Sequence, residues 1–330
     1  MTNILILSAG TRNKVVQAFR TAFEGEGNVI ATDCSNLAPA IYEADRHYLV
    51  PRITAPDYTE HILSICREEK ITGVFSLIDP ELSLLAKERE RFLEIGTTPV
   101  VSPYELVETC FDKYAFYEMM KEYGIPSACC FKDKEEFYRA KDAGKIAYPV
   151  FVKPIRGSAS IHINKVESDQ QIETLFAMYE DLMIQEYMPY QEYGADVYID
   201  MITGKCVSVF LKKKIRMRAG ETDKSVSVMI PELTEKIVEF TEKAGFRGMI
   251  DIDIFYDKDR GIFYFSEVNP RFGGGYPHAY ACGVDMPKLL LNNLKGIPNE
   301  PSPGDYRTGV CMMKYNEICI RDITEEEIII

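Results

Sequence analysis

Residues 249–256 read Met-Ile-Asp-Ile-Asp-Ile-Phe-Tyr, and this alternation constrains the chain more than any other stretch. A strand's period of two puts Ile250, Ile252 and Ile254 on one face and Asp251 and Asp253, with Met249 and Phe255, on the other. Asp257, Lys258, Asp259, Arg260 and Gly261 form a turn, so the strand is expected to pair antiparallel with residues 262–268. The end of one strand then lies beside the start of the next, which brings Asp253 near Glu267 and Asn269. Those two residues share a face and stand about 7 Å apart along the backbone. Two carboxylates and an amide carbonyl suit a hard divalent cation, because acids on neighbouring strands repel unless a cation lies between them. Arg271 suits an anion beside that cation, and the glycines at 273, 274 and 275 let a backbone approach a ligand closely. The expected arrangement is a metal held against phosphate. The ordinary alternative is a strand ending in a glycine turn, with Glu267 solvated and Arg271 a surface cation.

With 330 residues, 46% of them hydrophobic, the chain has room for two domains or for one large domain with insertions. A formal charge of -13 disfavours nucleic acid as a partner while leaving room for a local cationic cleft. The first residues, Met1 to Leu7, lack a basic leader, and no segment reaches the roughly 20 apolar residues that span a bilayer. A soluble, cytoplasmic protein with no membrane partner is expected. Nine cysteines form no CxxC pair and the four histidines show no metal-type spacing, which favours reduced thiols and magnesium over zinc.

The chain opens with the apolar strand at residues 4–7, a tight turn Ser8-Ala9-Gly10-Thr11-Arg12, and a helix through Val15, Val16, Ala18 and Phe19. Further strands are expected at 29–32, ending at Asp33, and at 73–77, ending near Asp79, with a helix through Ile62, Ile65 and Cys66 between them. Alternating strands and helices imply a doubly wound parallel sheet, whose ligands bind beyond the carboxyl ends of the strands. Gly10, Thr11, Arg12, Asp33 and Asp79 fall there, and the first three are candidate substrate contacts. A dinucleotide site, with Asp33 on a ribose, would need three glycines where this turn has one. Asp33 and Asp79 alternatively cap helices or turns. Ser102, Pro103 and Glu105 read as a helix start with Ser102 as its cap, so residues 1–102 form one unit and 103–330 the next.

A helix through Phe116, Met119, Met120 and Tyr123 is stopped by Gly124 and Pro126, with Lys113 near its start. Residues 149–154 form a strand ending at Lys153 and Pro154, and Arg156, Gly157, Ser158, Ala159 and Ser160 turn the chain into another strand at 161–166. A loop of small residues exposes backbone N–H groups, and a lysine at its base adds a point charge, so the pair can cradle polyphosphate, although no GxxxxGK[ST] occurs. An ordinary hairpin with a solvent lysine is the alternative. Residues 182–187 form a strand running into Met188 and Pro189, where free backbone groups could meet an adenine edge, with Glu192 a candidate for ribose hydroxyls. Lys212, Lys213, Lys214, Arg216 and Arg218 are the most basic cluster of the chain. Such a run reads as a solvated strand edge that prevents aggregation, or, facing a phosphate cleft, as alternate cations that neutralise the anion.

Lys113, the Val152-Lys153-Pro154 strand end with its small-residue loop, the 186–192 segment, Asp253, and Glu267-Val268-Asn269-Pro270-Arg271 occur in the order of an ATP-grasp enzyme. The chain resembles the branch containing the carbamoyl phosphate synthase large subunit, biotin carboxylase and the D-alanine ligases, and looks like a single ATP-grasp unit of that large subunit. The resemblance covers nearly the whole length. It implies an N-terminal α/β domain at residues 1–102, then an ATP-grasp fold at 103–330 with a mobile lid at 124–187 and an antiparallel C-terminal core. By position, Lys113, Lys153, Gly157 and Ser158 would bind ATP phosphates, Glu186, Tyr187 and Met188 would line the adenine, and Glu192 would hold the ribose. Asp253, Glu267 and Asn269 would ligate magnesium, with manganese as the alternative ion, and Arg271 and Lys153 would act on the transferred phosphate. The phosphate loop departs from the family in having only Gly157 where many members are richer in glycine.

The implied reaction is attack of a substrate carboxylate on the γ-phosphate of ATP, giving an acyl phosphate that an amine opens to an amide, with ADP and phosphate released. The expected partners are a small carboxylic acid and an amine. Arg216 and Arg218 join Gly10, Thr11 and Arg12 as substrate candidates, and His278 is a candidate proton acceptor. Phosphorylation or carboxylation of a small acid, or nucleotide binding without turnover, are the alternatives. With a single cassette and no amidotransferase or biotin-carrier segment, a complete carbamoyl phosphate synthase or a multidomain carboxylase is not expected. A homodimer is the default assembly.

Overall fold

In the computed structural model, residues 1–157, 163–218 and 220–329 are described, and their strands form three sheets. The first unit runs β1 (Asn3–Leu7), α1 (Asn13–Phe23), β2 (Val29–Asp33), β3 (Arg46–Leu49), α2 (Tyr58–Glu68), β4 (Ile71–Ser76), α3 (Asp79–Lys87), α4 (Arg89–Glu94) and β5 (Thr98–Pro99). All strand pairs are parallel, in the order β3-β2-β1-β4-β5. Central β1 is apolar on both faces because both are covered: Ile4 and Ile6 pack with Val16 and Phe19 of α1, and Leu5 and Leu7 with residues of α2, α3 and α4. Strand β3 is an addition to the expected set.

The chain then crosses through α5 (Tyr104–Phe111) and α6 (Lys113–Tyr123). Ser102 does not cap α5, whose cap position is Pro103. Its hydroxyl is buried, donates to the Arg247 carbonyl at 3.2 Å and accepts from the Arg247 N–H at 3.1 Å, so the serine ties the linker to a distant strand. The cap of α6 is Asp112, which accepts from the N–H groups of Tyr114 and Ala115.

A small antiparallel sheet follows: β6 (Cys130–Phe131), α7 (Lys134–Asp142), β7 (Val150–Pro154), β8 (Asn164–Val166), α8 (Asp169–Met178) and β9 (Leu182–Glu186), in the order β6-β9-β7-β8. Val150, Val152 and Ile184 meet Phe137 of α7 and Ile172 of α8 in a core of its own.

The large sheet comprises β10 (Gln191–Ile199), β11 (Cys206–Arg218), β12 (Glu221–Val228), β13 (Gly248–Asp257), β14 (Ile262–Asn269) and β15 (Cys311–Met313), in the order β14-β13-β10-β11-β12-β15. Helix α9 (Pro231–Ala244) lies between β12 and β13 in sequence, and α10 (Tyr276–Ala281) and α11 (Met286–Leu294) follow β14. One face of this sheet packs on α5, α6 and α9, where Ile250, Ile252 and Ile254 are 1%, 0% and 0% exposed. Each such burial is worth roughly 1.5–3 kcal/mol, and a one-residue slip would drive Asp251 and Asp253 into that core, so the register is firmly set. The other face shares a core with the first unit, in which Phe19 and Phe75 meet Phe272, and Phe210, Tyr276 and Leu290 join the same cluster. The carboxyl ends of the parallel strands are thereby brought to the polar face of the large sheet.

No helix of the described residues is long and apolar enough to cross a membrane. The nine cysteines are free thiols.

Candidate functional site

Strands β13 and β14 pair antiparallel with Asp253 directly opposite Glu267 and Asp251 opposite Asn269. The expected approach of Asp253 to Glu267 is therefore a direct cross-strand pairing, with a register shift just beyond it, while Asn269 pairs with Asp251 instead. These residues line a cleft of about 560 Å³ between the large sheet, the small sheet and the loops of the first unit. Lys113, Lys153, Gly157, Glu186, Met188, Glu192, Asp253, Glu267, Asn269, Arg271 and Arg12 all line it, although they come from positions 12 to 271 of the chain.

Lys113 opens α6, and its backbone N–H donates to Ile155 at 3.0 Å while its ammonium donates to the Gly157 carbonyl. The loop start is thereby tied to the helix. Lys153 ends β7 and is buried, which pushes its pKa down against the opposing pull of Glu267. Glu267 is in turn pushed up by burial, with Lys113 and Lys153 holding it down and Asp253 and Asp79 adding to the rise. Burial thus drives both partners toward neutrality. A cation against Glu267 and an anion against Lys153 would favour the charged form of each.

The donor set fits magnesium: two carboxylates and an amide carbonyl, all oxygen, on adjacent strands of one rigid sheet. Among the described residues no group of three or more His, Cys, Asp or Glu side chains is placed to hold a metal ion, and the third oxygen donor here is the amide of Asn269. Its Oδ1 already accepts from Arg271 at 3.1 Å.

Arg271 is held by an acid expected at the ligand-binding end of the parallel sheet, with capping as its alternative. Asp79, at the start of α3, accepts from Arg271 Nε at 2.8 Å and Nη2 at 3.0 Å, a two-point clamp that crosses from the first unit to the large sheet. Its clue was its place beyond the end of β4.

The basic run of β11 splits by burial. Lys212 and Lys214 are buried, whereas Arg216 and Arg218 are exposed. Lys214 Nζ donates to Glu192 Oε1 and to Asp253 Oδ1, both at 2.6 Å. Lys212 Nζ donates to Asp196 at 2.6 Å and lies 3.7 Å from Asp251. The edge-strand reading therefore fails for these two, and the neutralising role falls on protein acids. Gly194, on β10 between β11 and β13, makes the reach possible, because a Cβ there would stand 2.8 Å from Lys212 Cε and 3.2 Å from Lys214 Cε. Burial raises Glu192 despite Lys214, and pushes Asp196 up to about 6 despite Lys212.

The three glycines at 273–275 make room for charged side chains. A Cβ on Gly273 would sit 2.4 Å from Asp251 Cγ, one on Gly274 2.6 Å from Arg12 Nη1, and one on Gly275 2.8 Å from Lys212 Nζ.

Several expected contacts lie elsewhere. Gly10, Thr11, Arg216 and Arg218 do not line the cleft. The Gly10 N–H donates to Asp33 at 2.8 Å, Thr11 is exposed, and Arg216 stands 3.8 Å from Asp223 on the solvent side of its hairpin. Asp33 also accepts from the Ser35 N–H, so it organises the turn. The Tyr187 ring packs edge-on against Phe151 and under Lys165. Glu186 accepts from the Cys129 N–H at 3.1 Å. Ser158 lies outside the described residues. His278 is 1% exposed, with Nδ1 against Ser225 at 2.8 Å and Nε2 against the Val310 carbonyl at 2.9 Å, and burial takes its pKa to about 4, so it is a structural ring outside the cleft.

Comparison with known proteins bears on the family and the fold. Residues 4–100 match the family described as PylC-like, N-terminal domain, and residues 110–275 match the ATP-grasp domain. Over 271 residues the chain is 26% identical to the carbamoyl phosphate synthase arginine-specific large chain of Bacillus subtilis (strain 168), a match covering 77% of this chain and 25% of that relative. The chain thus spans about a quarter of that relative's length. The biotin carboxylase domain of the Hydrogenobacter thermophilus 2-oxoglutarate carboxylase, solved as a dimer with MgADP, ADP and bicarbonate, has a TM-score of 0.74 at 20% identity, covering 93% of this chain and 73% of that one. The L-amino acid ligase from Bacillus licheniformis has a TM-score of 0.67 at 20% identity, covering 91% of this chain and 75% of that one. With its ATP-grasp match extending over half of its length, the chain belongs to the ATP-grasp family.

Proposed function

We propose that the chain is an ATP-dependent carboxylate–amine ligase that forms an amide or peptide bond through an acyl phosphate and releases ADP and phosphate. The observation that carries this reading is the direct opposition of Asp253 and Glu267, in one cleft with Lys113, Lys153 and Arg271. Oxygen donors for a hard cation and a cationic wall for polyphosphate face the same space.

In this reading Lys113 and Lys153 hold the phosphates, the segment at 186–188 borders the adenine, and Glu192 accepts from the ribose hydroxyls. A carboxylate has about four acceptor sites, so the contact with Lys214 leaves Glu192 free to accept more. Asp253, Glu267 and Asn269 hold magnesium, or manganese in its place. Bound there, the ion neutralises charge on the β- and γ-phosphates. Arg271, fixed by Asp79, stabilises the transferred phosphate and then the acyl phosphate. Lys214, bonded to both, holds Glu192 and Asp253 in place. Residues 124–187 act as a lid that carries Lys153 and Gly157 over the nucleotide and excludes water, with the unit boundary at 102.

The chemistry needs positioning and charge neutralisation more than covalent help. A substrate carboxylate oxygen bonds to the γ-phosphorus as the bond to ADP breaks. The amine nitrogen then bonds to the acyl carbon as the bond from that carbon to the phosphate oxygen breaks, and the proton that the nitrogen loses goes to the departing phosphate or to solvent.

The test is ADP release with magnesium and ATP over paired carboxylic acids and amines, followed by mass spectrometry of the products. An amide formed in step with ADP is expected. A phosphorylated acid without amide would move the reading to a kinase, bicarbonate dependence to a carboxylase, and ATP binding without turnover across the panel to a nucleotide-binding regulator.

A further inference from the structure

Beyond β15 the chain leaves the large sheet and returns over the first unit as a strap, residues 314–329, anchored at two places. The near anchor is Lys314. Its N–H donates to the Asp223 carbonyl at 2.9 Å, and its ammonium donates to Glu221 at 2.7 Å. Glu221 in turn pairs with Arg12. The far anchor is the loop after β2. There the Asn36 amide donates to the Glu327 carbonyl at 2.7 Å and accepts from the Ile329 N–H at 2.9 Å, and the Ser35 hydroxyl donates to the Ile329 carbonyl. Between the anchors, Arg321 lies over the Tyr42 ring at 4.9 Å, and the Tyr42 hydroxyl donates to the Asn36 carbonyl at 2.7 Å.

Both anchors lead to Arg12, which lines the cleft. The near one reaches it through Glu221. The far one reaches it through Asp33, whose two carboxylate oxygens accept from the Ser35 N–H at 3.1 Å and from the Gly10 N–H at 2.8 Å. The loop under the strap and the turn that carries Arg12 thus share one carboxylate. The strap itself buries little: Tyr315, Ile318 and Ile320 are 77%, 81% and 79% exposed. A few polar contacts near the surface hold it, not a core, which places it among the segments that open without the rest of the fold. None of these contacts reaches β7, β13 or β14, which carry Lys153, Asp253 and Glu267.

We propose that residues 314–329 are a conformational strap that sets the position of Arg12. Docked on Ser35 and Asn36, the strap holds the turn at 8–12 against the cleft. Released, it frees that turn and leaves the phosphate and metal half of the cleft intact. Arg12 as a wall for the acid or amine rests on the ligase reading, whereas the coupling of strap to turn stands without it.

The test is hydrogen–deuterium exchange of the full chain as wild type, Asn36→Ala and Ile329→Pro, with folding checked by circular dichroism. Asn36→Ala removes both bonds of the amide. Ile329→Pro removes the N–H that Asn36 accepts from, without changing any residue of the first unit, and the extended Ile328 before it accommodates a proline. In both folded variants the amides of Gly10 and Ser35 should exchange about tenfold faster, with β13 and β14 as protected as in wild type. On an acid and amine pair that wild type joins, the KM for the acid or the amine should rise severalfold while the KM for ATP stays the same. Wild-type exchange at Gly10 and Ser35 in both variants would overturn the coupling, and a rise in the KM for ATP alone would overturn the assignment of the strap to Arg12. If wild type joins no pair, the ligase reading fails, and the exchange at Gly10 and Ser35 still decides whether the strap holds the turn.

Discussion

Lys214 bridges Glu192 and Asp253, and Lys214→Met removes its charge while keeping most of its apolar stem. The lysine side chain is 4% exposed, and its two partners are 24% and 23% exposed. Loss of one member of a buried ion pair costs about 3–5 kcal/mol, and the partial exposure of both acids puts this case near the lower figure, about 3 kcal/mol. For a chain of this size that corresponds to a fall in Tm of roughly 4 °C at neutral pH. The pH dependence gives the assay its specificity. Burial already raises Glu192 above its ordinary value, and without Lys214 it rises further. A carboxyl whose folded pKa exceeds its unfolded value favours folding when protonated, so the variant keeps that stability below about pH 4.5 and loses it as pH climbs through the folded value. Melting curves from pH 4 to 8 should therefore show the gap to wild type opening upward. Millimolar magnesium should narrow it by supplying the missing charge. A variant that melts with wild type across the whole range would refute the claim that this ammonium holds the acids together.

Three further outcomes follow from the same geometry. Ser102→Ala strips the Arg247 N–H and carbonyl of their buried partner, and should cost about 1–3 kcal/mol in chemical denaturation while leaving nucleotide affinity unchanged. Asp79→Asn loosens the clamp on Arg271 and should lower kcat on the order of a hundredfold, with a smaller change in KM for ATP, in steady-state kinetics. His278, neutral in the fold with a pKa of about 4 against an ordinary 6.5, withdraws stability as pH falls from about 6.5 to 4, because the unfolded chain takes up the proton first. His278→Asn should flatten that part of the stability profile.

What the sequence disclosed follows from the range over which each residue's fate is decided. The alternation at 249–256 and the turn after it settle the register of β13 on β14 locally, so the facing of Asp253 and Glu267 could be foreseen. Strand β3 could not, since Arg46, His47, Tyr48 and Leu49 show no alternation and lie at the sheet edge. Ser102 satisfies the local pattern of a helix cap, yet its hydroxyl is claimed by a backbone 145 residues away. The lysines of β11 look like an edge until Gly194 is seen on the neighbouring strand, and their partners, Asp196 and Asp253, come from β10 and β13. The glycines at 273–275 signal close approach correctly but not what approaches, which is the charged side chains of Asp251, Arg12, Glu221 and Lys212 from distant parts of the chain.

The central claim is that the Asp253, Glu267 and Asn269 set holds the metal for phosphoryl transfer to a carboxylate. Its most direct test is substrate-dependent ADP formation, measured for wild type, Glu267→Ala and Asn269→Ala on an acid and amine pair that wild type joins, with folding checked by circular dichroism. The account predicts that both variants fold and that neither forms ADP in response to substrate. Turnover at the wild-type rate in either folded variant would contradict it.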